Sequence, residues 1–170
     1  MTGFALGNYH LAVDVEATRA YYAAHHESWI TCECAGCRNF AQAVKSLPQA
    51  VRDFFETLGL DPEKVEELCY YDGTEHTIIG DCWYHLVGTV LEGSSKPGDY
   101  QVFPSGWAEI TEGFSVGFKN ECDLLPEDFP RPCCQMQFNY TLPWPFRLSP
   151  PLSTPLFDRH FLRCSGGGLR

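Results

Sequence analysis

The 170-residue chain carries 22 acidic and 12 basic residues, for a formal net charge of −10. With 44% apolar and 20% charged residues it is too apolar for disorder and long enough to bury a core as one domain, 1–170. The acidic balance, with no run of Lys or Arg, disfavours nucleic acid and anionic membrane as partners.

No window approaches the roughly 20 apolar residues of a membrane span, and Met1 to Gly7 shows no cationic segment leading into an apolar one. The expected location is therefore the cytoplasm. There, nine cysteines favour reduced thiols or metal ligands over a disulfide framework.

The first half reads as helical, over about 14–69. Asp14 suits an N-cap for a segment through His25, with Glu16 in its first turn. The short apolar piece Trp29-Ile30 leads into the cysteines. Phe40, Ala43, Val44 and Leu47 then recur at amphipathic-helix spacing, as do Val51, Phe54, Phe55 and Leu58 after Pro48. Gly59 fits the position just past a helix C-terminus. Asp61-Pro62 predicts a further helix start, carrying Val65 and Leu68 inward.

The period changes near Tyr70, and the sheet portion is expected over about 70–142. Asp72-Gly73 signals a turn. Trp83 to Glu92 predicts a central strand covered on both faces, with Leu86 and Val90 on one and Val87 and Leu91 on the other. Gly93 to Gly98 reads as a loop. Phe114, Val116 and Phe118 alternate with polar or small residues, and so do Cys134, Met136, Phe138 and Tyr140. The connection from Glu121 to Pro132 is too short for a helical crossover, which implies antiparallel pairing.

Eight of the 12 prolines fall between Pro126 and Pro155, so 143–170 should be an extended, irregular tail ending in a flexible Gly166-Gly167-Gly168. The fold class expected is α+β, with N-terminal helices packed on a mainly antiparallel sheet.

The strongest chemical signal is Cys32-Glu33-Cys34-Ala35-Gly36-Cys37. Two thiolates three residues apart converge on one ion when the turn between them is tight, and Gly36 permits such a turn. Arg38 and the start of the following helix add positive charge and free amide donors. Three cysteines leave one tetrahedral position. His25, His26, Cys69, Cys82 and His85 are all candidates, and a Cys₃His zinc site of Cys32, Cys34, Cys37 and His26 is the preferred version. The usual iron–sulfur spacings are absent, and no preceding βαβ strand supports a thioredoxin-like pair.

The other cysteines read more plainly. Cys69, Cys82, Cys122 and Cys164 suit small buried apolar residues. Of Cys133 and Cys134, one should face the core and the other away from it. Cys82 and His85 would point to opposite faces of a strand, which argues against a local dyad. His10, His76 and His160 have no evident partner. Glu56, Glu63, Glu66 and Glu67 read as a solvated helix surface. No phosphate loop, nucleophile elbow or H-E-x-x-H motif occurs.

The run Cys32-Glu33-Cys34-Ala35-Gly36-Cys37-Arg38-Asn39-Phe40 resembles a C-x-C-x-x-C-R-N-F segment of uncharacterised bacterial proteins. The likeness extends through Leu58-Gly59-Leu60-Asp61 to Phe129-Pro130 and Leu142-Pro143-Trp144. It implies a bacterial origin and carries over no catalytic residue.

Two functional expectations follow. The first is a non-enzymatic intracellular domain with a structural metal, acting through protein–protein contacts; 12 Phe, eight Tyr and four Trp leave room for an aromatic binding surface. The second is a thiol- or metal-dependent enzyme that uses Cys34 or Cys37 with a histidine supplied by the fold.

Overall fold

The computed structural model describes residues 1–25, 30, 32–93, 106–144 and 162–165. Three helices and an antiparallel sheet make up an α+β fold, as the sequence predicts.

The chain opens with a hairpin that the sequence reading passes over. Strands β1 (Thr2–Leu6) and β2 (Tyr9–Val13) pair antiparallel around Gly7 and Asn8. Gly7 has φ +56°, the left-handed conformation a two-residue hairpin turn demands. Tyr9, Leu11 and Val13 are buried while His10 is exposed, the alternation of a strand with one covered face.

Helix α1 (Val15–Ala24) starts where expected, with the Asp14 side chain accepting from the Ala17 N–H at 3.0 Å. Helix α2 (Ala35–Ala43) carries Phe40 inward, but the helix predicted through Leu47 tightens at Val44–Ser46 into a single 3-10 turn before Pro48. Helix α3 (Gln49–Leu58) buries Val51, Phe54, Phe55 and Leu58, and Gly59 ends it at φ +73°.

The helix predicted after Asp61-Pro62 does not form. Asp61 does cap, with its carboxylate accepting from the Glu63 N–H at 3.0 Å, but it caps only a turn. Strand β3 (Glu67–Gly73) follows, so the sheet begins before residue 70 and the Asp72-Gly73 turn signal lies within that strand. The reversal falls instead at Thr74 to His76, where Thr74 Oγ1 accepts from the His76 and Thr77 N–H groups. Because of this strand, Glu67 is buried rather than on a solvated helix face.

Strand β4 (Thr77–Glu92) is the central element the sequence predicts, although Leu91 is 64% exposed rather than covered. Strands β5 (Ala108–Thr111), β6 (Phe114–Lys119) and β7 (Cys133–Pro143) follow, and β8 (Leu162–Ser165) is the described piece beyond Trp144. The strand order is β1-β2-β4-β7-β6-β5, with β3 on β4 and β8 on β3, and each described pairing is antiparallel. One edge of β4 runs along β7. The other is divided, residues 78–83 pairing with β3 and 88–92 with β2.

Register sorts the side chains by face. Cys82 stands opposite Phe138, Tyr84 opposite Met136 and Leu86 opposite Cys134, all buried on the helix side. There Phe55 meets Tyr84 and Phe138 edge-on at 5.1 Å, and Phe40 lies 5.4 Å from Tyr140. The other face carries His85, Gln135 and Lys119 in one cross-strand row. Ordinary core burial of aromatic rings thus fixes α2 and α3 on one side. The predicted loop over 94–98, Trp29, and the tail at 145–161 and 166–170 lie outside the described residues.

Candidate metal centre

The cysteine run lies where an irregular segment becomes α2. Cys34 is the N-cap residue in extended conformation, and its sulfur accepts from the Cys37 N–H at 3.5 Å. The Cys34 N–H in turn donates to Cys32 Sγ at 3.5 Å. Two amide donors are therefore aimed at sulfur within one turn, a pattern that favours negative charge on the ligands. Cys37 begins the buried side of the helix, whereas Cys32 and Cys34 are half-buried.

The three sulfurs lie within 4.8 Å of one another. A tetrahedral ion with metal–sulfur bonds of about 2.3 Å needs sulfurs about 3.8 Å apart. Contraction by about 1 Å at most, within reach of side-chain rotation, closes the difference. Three close cysteines able to hold a metal ion are thus a property of the fold. Among the described residues no fourth Cys, His, Asp or Glu donor joins them.

The candidates for the fourth position separate. His26 lies outside the described residues. His25 is turned to α1 and the 120s segment, with Nδ1 2.8 Å from the Tyr21 carbonyl and Nε2 3.5 Å from Asp128. Cys82 is buried beside the Tyr84 hydroxyl, and burial pushes its thiol pKa well above the ordinary value. His85 Nε2 lies 3.0 Å from the Asp123 carbonyl, and its Nδ1 faces Glu66 at 3.6 Å. Cys82 and His85 do occupy opposite faces of β4, so they form no dyad. Arg38 is exposed on the first turn of α2.

The sequence reading missed Tyr70. Its hydroxyl lies 3.6 Å from Cys34 Sγ, and its ring covers the turn so closely that a Cβ on Gly36 would stand 2.2 Å from it. Gly36 therefore answers to the neighbouring strand, because only a missing side chain lets Tyr70 settle there.

The remaining expectations resolve as follows. Cys69 and Cys82 are buried, as small apolar residues should be, while Cys122 is only half-buried; the Cys164 side chain lies outside the described residues. Cys134 faces the core and Cys133 faces away. His10 is 3.2 Å from Glu92 and His76 is 3.5 Å from Glu75, both at the surface, and His160 lies outside the described residues. Among the described residues no helix is long and apolar enough to cross a membrane.

A cavity of about 440 Å³ opens beyond the far end of α2, between Asn39, Ala43, Leu47, Phe114 and Leu142. Asn39 is 1% exposed, and its Nδ2 has no hydrogen-bond partner among the described residues.

No family model matches the sequence, and no curated protein or solved structure is similar enough to count as a match.

Proposed function

We propose that Cys32, Cys34 and Cys37, with His26 as fourth ligand, hold a structural zinc ion, and that the protein acts without catalysis through contacts with other proteins. The observation that carries this reading is the convergence of three sulfurs within 4.8 Å on a turn whose amides point at two of them. Soft thiolate donors suit zinc, and a closed ligand set is the structural form of such a site. The ion would tie the segment before α2 to the helix start and, through Tyr70, to β3. Exposed Leu91, Trp107 and Leu124 support the contact role.

Elemental analysis of protein purified without chelator tests the metal. One zinc per chain is expected, lost in Cys37→Ser and weakened in His26→Ala. Metal-free protein with all nine thiols titratable in denaturant would end the proposal. Co-purification with defined partners, lost on Leu91→Ser or Leu124→Ser, tests the contact role separately.

A further inference from the structure

A second sulfur pair lies on the opposite side of the sheet from α2 and α3. Cys122 sits in the connection after β6, and Cys133 is the first residue of β7. Their sulfurs are 3.7 Å apart, and both residues are half-buried. We propose that Cys122 and Cys133 form a reversible dithiol–disulfide pair, oxidised by low-molecular-weight disulfides of the glutathione type.

The backbone on both sides of this pair is already fixed. Cys133 is paired with Val87 in the β4–β7 ladder. The preceding strand end is held by Asn120, whose side chain accepts from the Val90 N–H at 2.8 Å and donates to the Val90 carbonyl at 3.0 Å. Next to Cys122, the Asp123 N–H donates to Gln135 Oε1 at 2.7 Å, and Lys119 pairs with the Asp123 carboxylate at 2.5 Å. A disulfide needs sulfurs about 2.05 Å apart. The sulfurs must approach by a further gap of about 1.7 Å, a distance of the order that side-chain rotation covers.

The surroundings assign the two sulfurs different parts. Arg131 Nη1 lies 3.3 Å from Cys133 Sγ, so a cation stands beside that sulfur. Burial, followed by the neighbouring Cys133 sulfur, raises the Cys122 thiol well above the ordinary range. Cys133 is thus the attacking group and Cys122 the resolving one. Cys133 gives its proton to water, and its sulfur attacks the oxidant's S–S bond and expels one thiolate, which takes up a proton from water, leaving a mixed disulfide. Cys122 then gives its proton to water and attacks Cys133 Sγ, releasing the second thiolate. Two protein thiols are oxidised, and one small disulfide is reduced to two thiols. Cys134 does not compete, since it points into the helix-side core and burial pushes its thiol up to about 12.

The metal reading is not needed for this inference, and one experiment keeps the two apart. The full chain, with its metal content measured, is equilibrated in graded mixtures of oxidised and reduced glutathione, then trapped by alkylation and mapped by mass spectrometry. The expected product is a Cys122–Cys133 cross-linked peptide lighter by two hydrogens, reversed by dithiothreitol, with metal content unchanged. Closing the loop from 122 to 133 should raise the unfolding temperature, because the cross-link restricts the unfolded chain. That rise should vanish in Cys122→Ser and Cys133→Ser. Arg131→Gln should slow cross-linking at least severalfold and leave the folded yield unchanged. Persistence of both thiols, a stable glutathione adduct at Cys133, or cross-linking of either residue to another cysteine in the folded wild-type chain would overturn the proposal.

Discussion

The Tyr22 hydroxyl donates to the carbonyl of His85 at 3.1 Å and accepts from the N–H of the same residue at 3.1 Å. This bond pair fills the interval along the divided edge of β4, where β3 has ended and β2 has not begun. Thr18 Oγ1 accepts from the Val87 N–H at 3.0 Å, and the Asp14 N–H donates to the Val87 carbonyl at 2.7 Å. Helix α1 and its N-cap thus stand in for a missing strand, with two side-chain hydroxyls and one amide where a ladder would use amides and carbonyls alone.

Tyr22→Phe is therefore expected to cost about 1–3 kcal/mol, since it strands a buried N–H and C=O together. Thr18→Val should cost a similar amount by orphaning the Val87 N–H. Urea denaturation of each variant and of the double variant measures both losses and their coupling; a wild-type midpoint for Tyr22→Phe would refute the substitution of helix for strand.

Two glycines should rank in a definite order. A Cβ on Gly80 would meet the Cys69 carbonyl oxygen at 2.2 Å and the Tyr140 hydroxyl at 2.5 Å, whereas the three atoms nearest a Cβ on Gly36 all belong to the Tyr70 ring. Backbone cannot swing aside as a ring can. Gly36→Ala is expected to cost about 1–3 kcal/mol, the usual range for overpacking, and to weaken metal binding as Tyr70 leaves Cys34. Gly80→Ala should cost more, and thermal melts with metal titration separate the two effects.

Alkaline pH should unfold the protein through its tyrosines. Tyr9 is buried, its hydroxyl donates to the Gly106 carbonyl at 2.7 Å, and burial raises its pKa to about 12. Unfolded tyrosine titrates near 10. Below that both states are neutral and the contribution is complete; as pH climbs toward 12 the unfolded chain loses protons that the folded chain keeps, and stability falls. Tyr22 and Tyr84, shifted well upward by burial, add to the decline. Stability measured from pH 9 to 12, beside Tyr9→Phe, should show a shallower loss in the variant.

Asn39→Leu is expected to be neutral or stabilising by about 1 kcal/mol. Its Nδ2 is buried without a partner among the described residues, so replacing it removes a desolvation cost, and the adjoining cavity accepts the added methyl groups. A clear loss of melting temperature would show that the amide has a partner in solution.

The sequence is most legible where one signal decides one local structure. Pro48, the Val51–Leu58 spacing and Gly59 define α3 because cap, stripe and stop agree. Alternation at Phe114–Phe118 and Cys134–Tyr140 reads β6 and β7 directly. Asp61-Pro62 misleads because its capping grammar is honoured only by a turn, and the segment beyond it is claimed by the open edge of β4; Glu67 pairs there with Trp83. Tertiary demand overrides local preference at that point. Gly7-Asn8 with Tyr9, Leu11 and Val13 does carry a hairpin signal. The cysteine turn is legible because its ligands are neighbours in the chain. Tyr70 is not, since its place over the turn is set by a strand distant in the chain, and the Cys122–Cys133 approach is not, since it depends on how the irregular connection after β6 folds back on the start of β7.

At about 3.3 Å per residue, the sixteen residues of β4 reach roughly 50 Å. Three other strands and α1 are fastened to that one spine, so β2, β3, β7 and α1 cannot peel away without tearing amides from it. Amide protons near His85 and Val87 should consequently be the last to exchange with deuterium, at a rate set by the opening of the whole assembly.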